Sequence, residues 1–139
     1  MIRPSQACND PAPAHLFVYG SLRAGARCPA EIRRTLEATS APLGPAWTDG
    51  RLYRVAWYPG LVLTAGRPVR GDMRRIDDPD RLWPCLDAYE GPSFDCRVIE
   101  IRPESGFPTR AWCYVLNTPP AGAVMEPVLS GDWLSAEMS

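Results

Sequence analysis

The chain predicts an α+β fold, a small mixed β-barrel or strongly curved sheet flanked by short helices. Three observations carry this expectation. Apolar stretches follow one another in the order strand, helix, several strands, helix, two strands. Sixteen prolines and eleven glycines are scattered through 139 residues, which divides the chain into short elements and excludes long helices. A chain of that length also buries about two-thirds of its unfolded surface in one core without disulfides or metal. The expected organisation is a flexible N-terminal tail over residues 1–14 and one domain over residues 15–139.

The tail places Pro4, Pro11 and Pro13 among small and polar side chains and has no apolar periodicity. Leu16, Phe17, Val18 and Tyr19 form an aromatic and aliphatic run suited to a strand, and Gly20-Ser21 breaks it. Backbone N–H groups after such a strand are free to point at a phosphate-type or carboxylate-type ligand, although a plain turn has the same signature. Pro29 to Ala38 reads as an amphipathic helix, with Ala30, Ile32, Leu36 and Ala38 among charged side chains and Pro29 at its start. Leu43–Thr48, Arg51–Trp57 and Leu61–Thr64 read as antiparallel strands parted by turns at Asp49-Gly50 and Pro59-Gly60. Val69–Ile76 is a further strand, in which Gly71 marks a bulge or a close approach.

Asp77-Asp78-Pro79 offers an N-cap and a first-turn proline to a helix running toward Tyr89, with Leu82, Trp83, Leu86 and Tyr89 apolar. Pro84 sits where an interior N–H is needed, so a kink or two shorter turns are expected there. Phe94–Ile101 and Thr109–Leu116 alternate as strands, the second apolar at Ala111, Cys113 and Val115. Asn117–Ser139 is turn-rich and contains Ser130-Gly131-Asp132-Trp133.

Bulk properties narrow the function. Fifteen basic side chains face sixteen acidic ones with no long block of either sign, which offers no case for nucleic acid or an anionic membrane and leaves a small molecule as the expected partner. No apolar run has bilayer-spanning length and Met1–Ala14 lacks a signal core, so the expected location is cytoplasmic. Cys8, Cys28, Cys85, Cys96 and Cys113 are odd in number and irregular in spacing, with His15 the sole histidine. No metal site or disulfide frame is expected, and Cys85, Cys96 and Cys113 read as small apolar side chains in a reducing compartment.

Leu86-Asp87-Ala88-Tyr89-Glu90-Gly91 puts a carboxylate at the end of a helix, just before a glycine able to take a positive-φ cap. The negative end of the helix dipole and burial among Tyr89, Trp83 and Phe94 would both raise the Glu90 pKa toward the range useful in proton transfer, against the plainer reading of a solvated helix-terminal glutamate. Asp87 shares that face, but a capping or exposed role is its commoner fate than glycosidase chemistry. Ser21 lacks the full G-x-S-x-G elbow, and His15 lies at the start of its own strand, so neither a serine triad nor a Cys28–His15 pair is favoured. The Gly20-Ser21 loop also lacks the spaced glycines and lysine of a nucleotide cradle.

Tyr19-Gly20-Ser21-Leu22-Arg23, Gly50-x-Leu52-Tyr53, Tyr58-Pro59-Gly60, Val69-x-Gly71, Leu86-Asp87-x-Tyr89-Glu90-Gly91 and Ser130-Gly131-Asp132-Trp133, in this order, resemble the γ-glutamylcyclotransferase-like family. The resemblance spans about residues 16 to 134. It implies a small mixed barrel with flanking helices, a γ-glutamyl-binding loop at Tyr19, Gly20, Ser21 and Leu22, and Glu90 as catalytic acid/base. It also implies a cofactor-independent reaction, since the α-amine of a γ-glutamyl amine or peptide attacks its own side-chain carbonyl and releases 5-oxoproline and a free amine. Cys28 and Phe94 depart from the family pattern, where asparagine and tyrosine are frequent. Arg23 and Arg97 are candidate contacts to an acidic substrate, against a solvated or structural role. Tyr114 and Trp133 are expected in the core or the cavity wall. The alternative to an enzyme is a noncatalytic metabolite-binding module on the same fold, and a protein-interaction role for the tail has only its proline content behind it.

Overall fold

The computed structural model describes residues 13–23, 26–55, 58–117 and 121–134. Its elements in chain order are β1 (His15–Val18), α1 (Ala30–Thr39), β2 (Ser40–Val55), β3 (Tyr58–Ile76), α2 (Pro79–Glu90), β4 (Phe94–Pro103), β5 (Thr109–Leu116) and β6 (Met125–Pro127). The strands pair in the order β3-β1-β5-β4-β2, and β2 pairs back onto β3 to close a five-stranded barrel, with β6 added to β2. The barrel is mixed because β1 runs parallel to β5 and antiparallel to β3. This is the α+β barrel that the order of elements predicts.

Side-chain alternation explains where the core lies. Phe17, Ala111, Cys113 and Val115 join Leu52, Leu61, Val69 and Ile101 in one buried cluster that fills the barrel. Leu16, Val18, Trp112 and Tyr114 point the other way and form a second cluster with Leu36 of α1 and Leu82, Trp83 and Leu86 of α2. A strand buried on both faces needs apolar residues without a break, which is why β1 reads as a continuous hydrophobic run and why residues 111–116 of β5, expected to alternate, are all buried.

The expected short strands between Leu43 and Thr64 are instead parts of one long hairpin. Asp49-Gly50 is not a turn: β2 runs through it, and a register shift between Gly50 and Arg51 accommodates extra residues on β3. Pro59 and Gly60 also lie within β3, paired with Arg54 and Tyr53, so the reversal falls between Val55 and Tyr58, with residues 56–57 outside the described residues. Turn chemistry misleads here because proline and glycine are equally suited to bulges and irregular barrel strands. Gly71 is the close approach anticipated, since a Cβ there would come within 2.6 Å of Phe17 Cζ.

Helix α2 also departs from expectation, continuing through Pro84 to Glu90. One interior proline costs about 3 kcal/mol. Burying Leu82, Trp83 and Leu86 offsets this, at about 1.5–3 kcal/mol for each such side chain. Pro79 takes the first helical position, but the Asp78 side chain makes no capping hydrogen bond. Of the expected tail, residues 1–12 lie outside the described residues. Pro13 and Ala14 belong to the domain: their carbonyls accept the Trp112 indole N–H at 3.1 Å and the Ile76 N–H at 2.7 Å. Three-residue β6 escaped the sequence reading because so short a run has no period. No helix among the described residues is long and apolar enough to cross a membrane.

Candidate active site

The chain leaves β1 at Val18 and turns at once, with the Arg23 N–H donating to the Gly20 carbonyl at 3.0 Å. Gly20 is buried, and a Cβ there would collide with the Pro59 ring. The loop is fixed from behind by Arg33 of α1, whose guanidinium donates to the carbonyls of Leu22 at 2.9 Å, Ser21 at 3.2 Å and Arg23 at 2.8 Å. With the carbonyls drawn toward α1, the N–H groups of Gly20, Ser21 and Leu22 have no acceptor among the described residues.

These residues border a cavity of about 180 Å³ whose wall continues through Phe17, Val18, Tyr58, Pro59, Tyr89, Glu90, Ser93, Phe94 and Tyr114. The loop Tyr19–Leu22 and Glu90 are therefore brought to one place from opposite parts of the chain. Glu90 is the last residue of α2, and Gly91 follows with φ 76°, a conformation that favours glycine, while its N–H returns to the Asp87 carbonyl at 3.1 Å. Burial alone pushes the Glu90 carboxyl up to about 7, within the range where one group can both accept and return a proton at neutral pH.

The neighbouring polar groups are mostly committed to one another. The Ser21 hydroxyl and the Tyr89 phenol are hydrogen-bonded at 2.8 Å, which ties the loop to the last turn of α2. Burial raises the Tyr89 phenol, partly opposed by that bond. Tyr19 donates to the Tyr114 carbonyl at 2.7 Å and accepts the Leu61 N–H at 3.1 Å, and burial holds its phenol well above the usual range. It therefore faces the cavity as a neutral ring. The Tyr114 phenol donates to Asp87 Oδ1 at 2.5 Å.

The remaining candidates lie elsewhere. Arg23 is corrected from substrate contact to buried cation: its guanidinium donates to Asp132 at 2.7 Å and lies 3.8 Å from Asp72, with its side chain only 4% exposed. Arg97 is likewise outside the cavity wall, half-exposed and 3.7 Å from Asp95. Position in sequence beside a binding loop does not decide the direction of an arginine on the turn that follows. Asp87 is not in the wall either, so no carboxylate pair is assembled, and His15 pairs across the sheet with Arg75 away from Ser21. Cys28 packs against the helix cluster with its thiol raised by burial, Cys85 and Cys96 are half-buried, and Cys113 is buried, all four as free thiols; Cys8 lies outside the described residues. Among the described residues no group of three or more His, Cys, Asp or Glu side chains could hold a metal ion.

Sequence reasoning missed Arg33. The available signal was its place one turn into the helix that follows the loop, where a long donor reaches back to exposed carbonyls.

A model of the gamma-glutamyl cyclotransferase, AIG2-like family matches residues 16–135. The chain belongs to this family. Similar solved structures include the AIG2-like protein GGACT from Mus musculus, 24% identical over 76% of this chain and 78% of that one, with a TM-score of 0.61. Protein YtfP from Escherichia coli is 29% identical over 88% of this chain and 98% of its own, with a TM-score of 0.57. YkqA from Bacillus subtilis is 23% identical with a TM-score of 0.66; the match covers 91% of this chain but 42% of YkqA, so the chain spans less than half of that protein. No curated protein matches the chain. Membership of the gamma-glutamyl cyclotransferase, AIG2-like family supports a cyclotransferase-type function in general terms, and the matched span contains the whole cavity wall.

Proposed function

We propose that the protein is a γ-glutamylcyclotransferase that releases 5-oxoproline and a free amine from a γ-glutamyl amine or γ-glutamyl peptide. The observation that carries this reading is the meeting, in one cavity, of a loop whose N–H groups have no acceptor among the described residues and a carboxyl that burial pushes up to about 7. The N–H groups of Gly20, Ser21 and Leu22 hold the glutamyl end of the substrate and fold it for five-membered ring closure.

The nucleophile is the substrate's own α-amine, so the protein supplies proton transfer. Ionised Glu90 takes a proton from the α-ammonium, and the freed amine attacks the γ-carbonyl. The tetrahedral intermediate collapses with cleavage of the old amide bond. Over the cycle two protons leave the attacking nitrogen and two arrive on the departing one, with Glu90 regenerated as carboxylate. Loss of the leaving amine requires that it be protonated, which a carboxyl titrating near 7 can achieve and an ordinary carboxyl rarely can.

Incubation of the protein with a panel of γ-glutamyl amines and peptides, with assay of 5-oxoproline, tests the reading. Glu90→Gln keeps the shape of the side chain and removes its basicity. Turnover is expected to fall by about 10²–10⁴ in that variant while substrate binding is largely kept. Full activity in Glu90→Gln would sink the mechanism.

A further inference from the structure

We propose that a second cavity, at the break in the β2–β3 pairing, binds a small organic anion: a carboxylate on a compact aliphatic or aromatic body. This cavity measures about 290 Å³, against about 180 Å³ for the candidate active site, and shares no lining residue with it. Its wall comes from residues 50–53 of β2, 66–69 of β3, 127–129 and Gly131. The proposal is independent of the cyclotransferase reading.

The pairing of the hairpin opens the cavity. Gly50 pairs with Arg67, but the next residue, Arg51, pairs with Val62, so residues 63–66 leave the ladder and are exposed. A Cβ at Gly66 would lie 2.5 Å from the Gly50 carbonyl oxygen, and glycine at this crossing leaves the gap without a side chain. The C-terminal wall is tied in place: the Val128 N–H donates to the Leu52 carbonyl at 2.8 Å, and the Arg70 N–H to the Gly131 carbonyl at 2.8 Å. Leu52 and Val69 are buried and Val128 is half-buried, which gives a ligand body an apolar surface.

Charge decides the class of ligand. Arg51 and Arg67 flank the break, no acidic residue lines the cavity, and neither guanidinium has an ion-pair or hydrogen-bond partner among the described residues. Of the acids next to the wall in sequence, Asp49 is held by Arg102 at 3.0 Å and Asp132 by Arg23 at 2.7 Å, while Glu126 sits opposite Arg54 across the β2–β6 ladder. Two like charges without a counter-charge give the cleft a positive potential, and a guanidinium presents the planar fork that a carboxylate accepts. The candidate active site has the opposite character, with the Glu90 carboxyl in its wall.

An NMR titration of the full chain with hydrocinnamate, hydrocinnamamide and acetate tests the proposal. Hydrocinnamate is expected to shift wall signals saturably, among them the amides of Arg51, Leu52, Val69 and Leu129. It should bind about tenfold or more tightly than the neutral amide, which keeps the body without the charge, and than acetate, which keeps the charge without the body. Arg51→Gln and Arg67→Gln, both at exposed positions, should each remove most of the preference for acid over amide. Shifts confined to residues 17–22 and 89–94 would assign the carboxylate to the other cavity and overturn the proposal. Equal affinity for hydrocinnamate and either comparison probe, a preference kept in both variants, or no saturable shift with any probe would overturn it as well.

Discussion

Glu90 and Asp132 are both partly buried carboxyls next to a glycine of positive φ, and their surroundings are opposite. Asp132 follows Gly131 and receives the Arg23 guanidinium at 2.7 Å, closing the C-terminal segment against the turn after β1. Glu90 precedes Gly91 in a wall of rings, where desolvation alone acts on it. Burial therefore makes a fastener of one carboxyl and a titratable group of the other, and a cation within reach decides which.

The comparison breaks most visibly at Arg23. Removing it by Arg23→Ala takes the buried guanidinium away from two partly buried carboxylates and is expected to cost about 3–5 kcal/mol, read from the denaturant midpoint. An effect below about 1 kcal/mol would mean that water serves Asp132 as well as the arginine does.

Glu90→Gln is expected to act on stability with the opposite sign. In the fold the carboxyl holds its proton up to about pH 7, against 4.5 as the reference value for the unfolded chain. Below about pH 4.5 both states are protonated and the group is neutral to stability. Between there and about pH 7 the unfolded chain releases its proton first, so stability falls as pH rises, and above 7 the loss is constant. The variant should be the more stable protein at pH 8, by on the order of 3 kcal/mol, and that advantage should vanish near pH 4. Thermal melting of both proteins at the two pH values measures it.

The smallest effect sharpens the catalytic side. Tyr89→Phe removes the bond to Ser21 and is expected to cost about 0.5–1.5 kcal/mol, seen as a rise in KM with kcat little changed, since the tie positions the loop and does not carry protons. A large drop in kcat with unchanged KM would place Tyr89 in the chemistry.

The two carboxyls also mark how far the sequence could be read. The barrel and its helices were legible because each rests on local pattern: an uninterrupted apolar run for β1, alternation for β4 and β5, and an amphipathic stripe for α1. The pairing of loop with Glu90 came from the family resemblance, since a plain turn and a solvated helix-end glutamate have the same local signatures. The long β2–β3 hairpin was not, because Asp49-Gly50 and Pro59-Gly60 have turn composition, and only the pairing partners reveal a bulge and a continuing strand. Arg23 departed from its expected role, and Arg33 took one the sequence did not suggest, for the same reason. Both lie near the loop in sequence, but the turn at Gly20 directs Arg23 inward to Asp132, while the helix places Arg33 behind the carbonyls. Partners more than a hundred residues apart, such as Arg23 and Asp132, leave no periodic trace.

The central claim is that an unpaired, desolvated Glu90 moves the protons. The pH dependence of kcat/KM for 5-oxoproline release tests it most directly. The account predicts an acid limb with an apparent pKa near 7 in the parent protein, kept at that position in Arg33→Lys, and residual activity without that limb in Glu90→Gln. An acid limb near 4.5, or a Glu90→Gln variant that keeps both the rate and the limb, contradicts it.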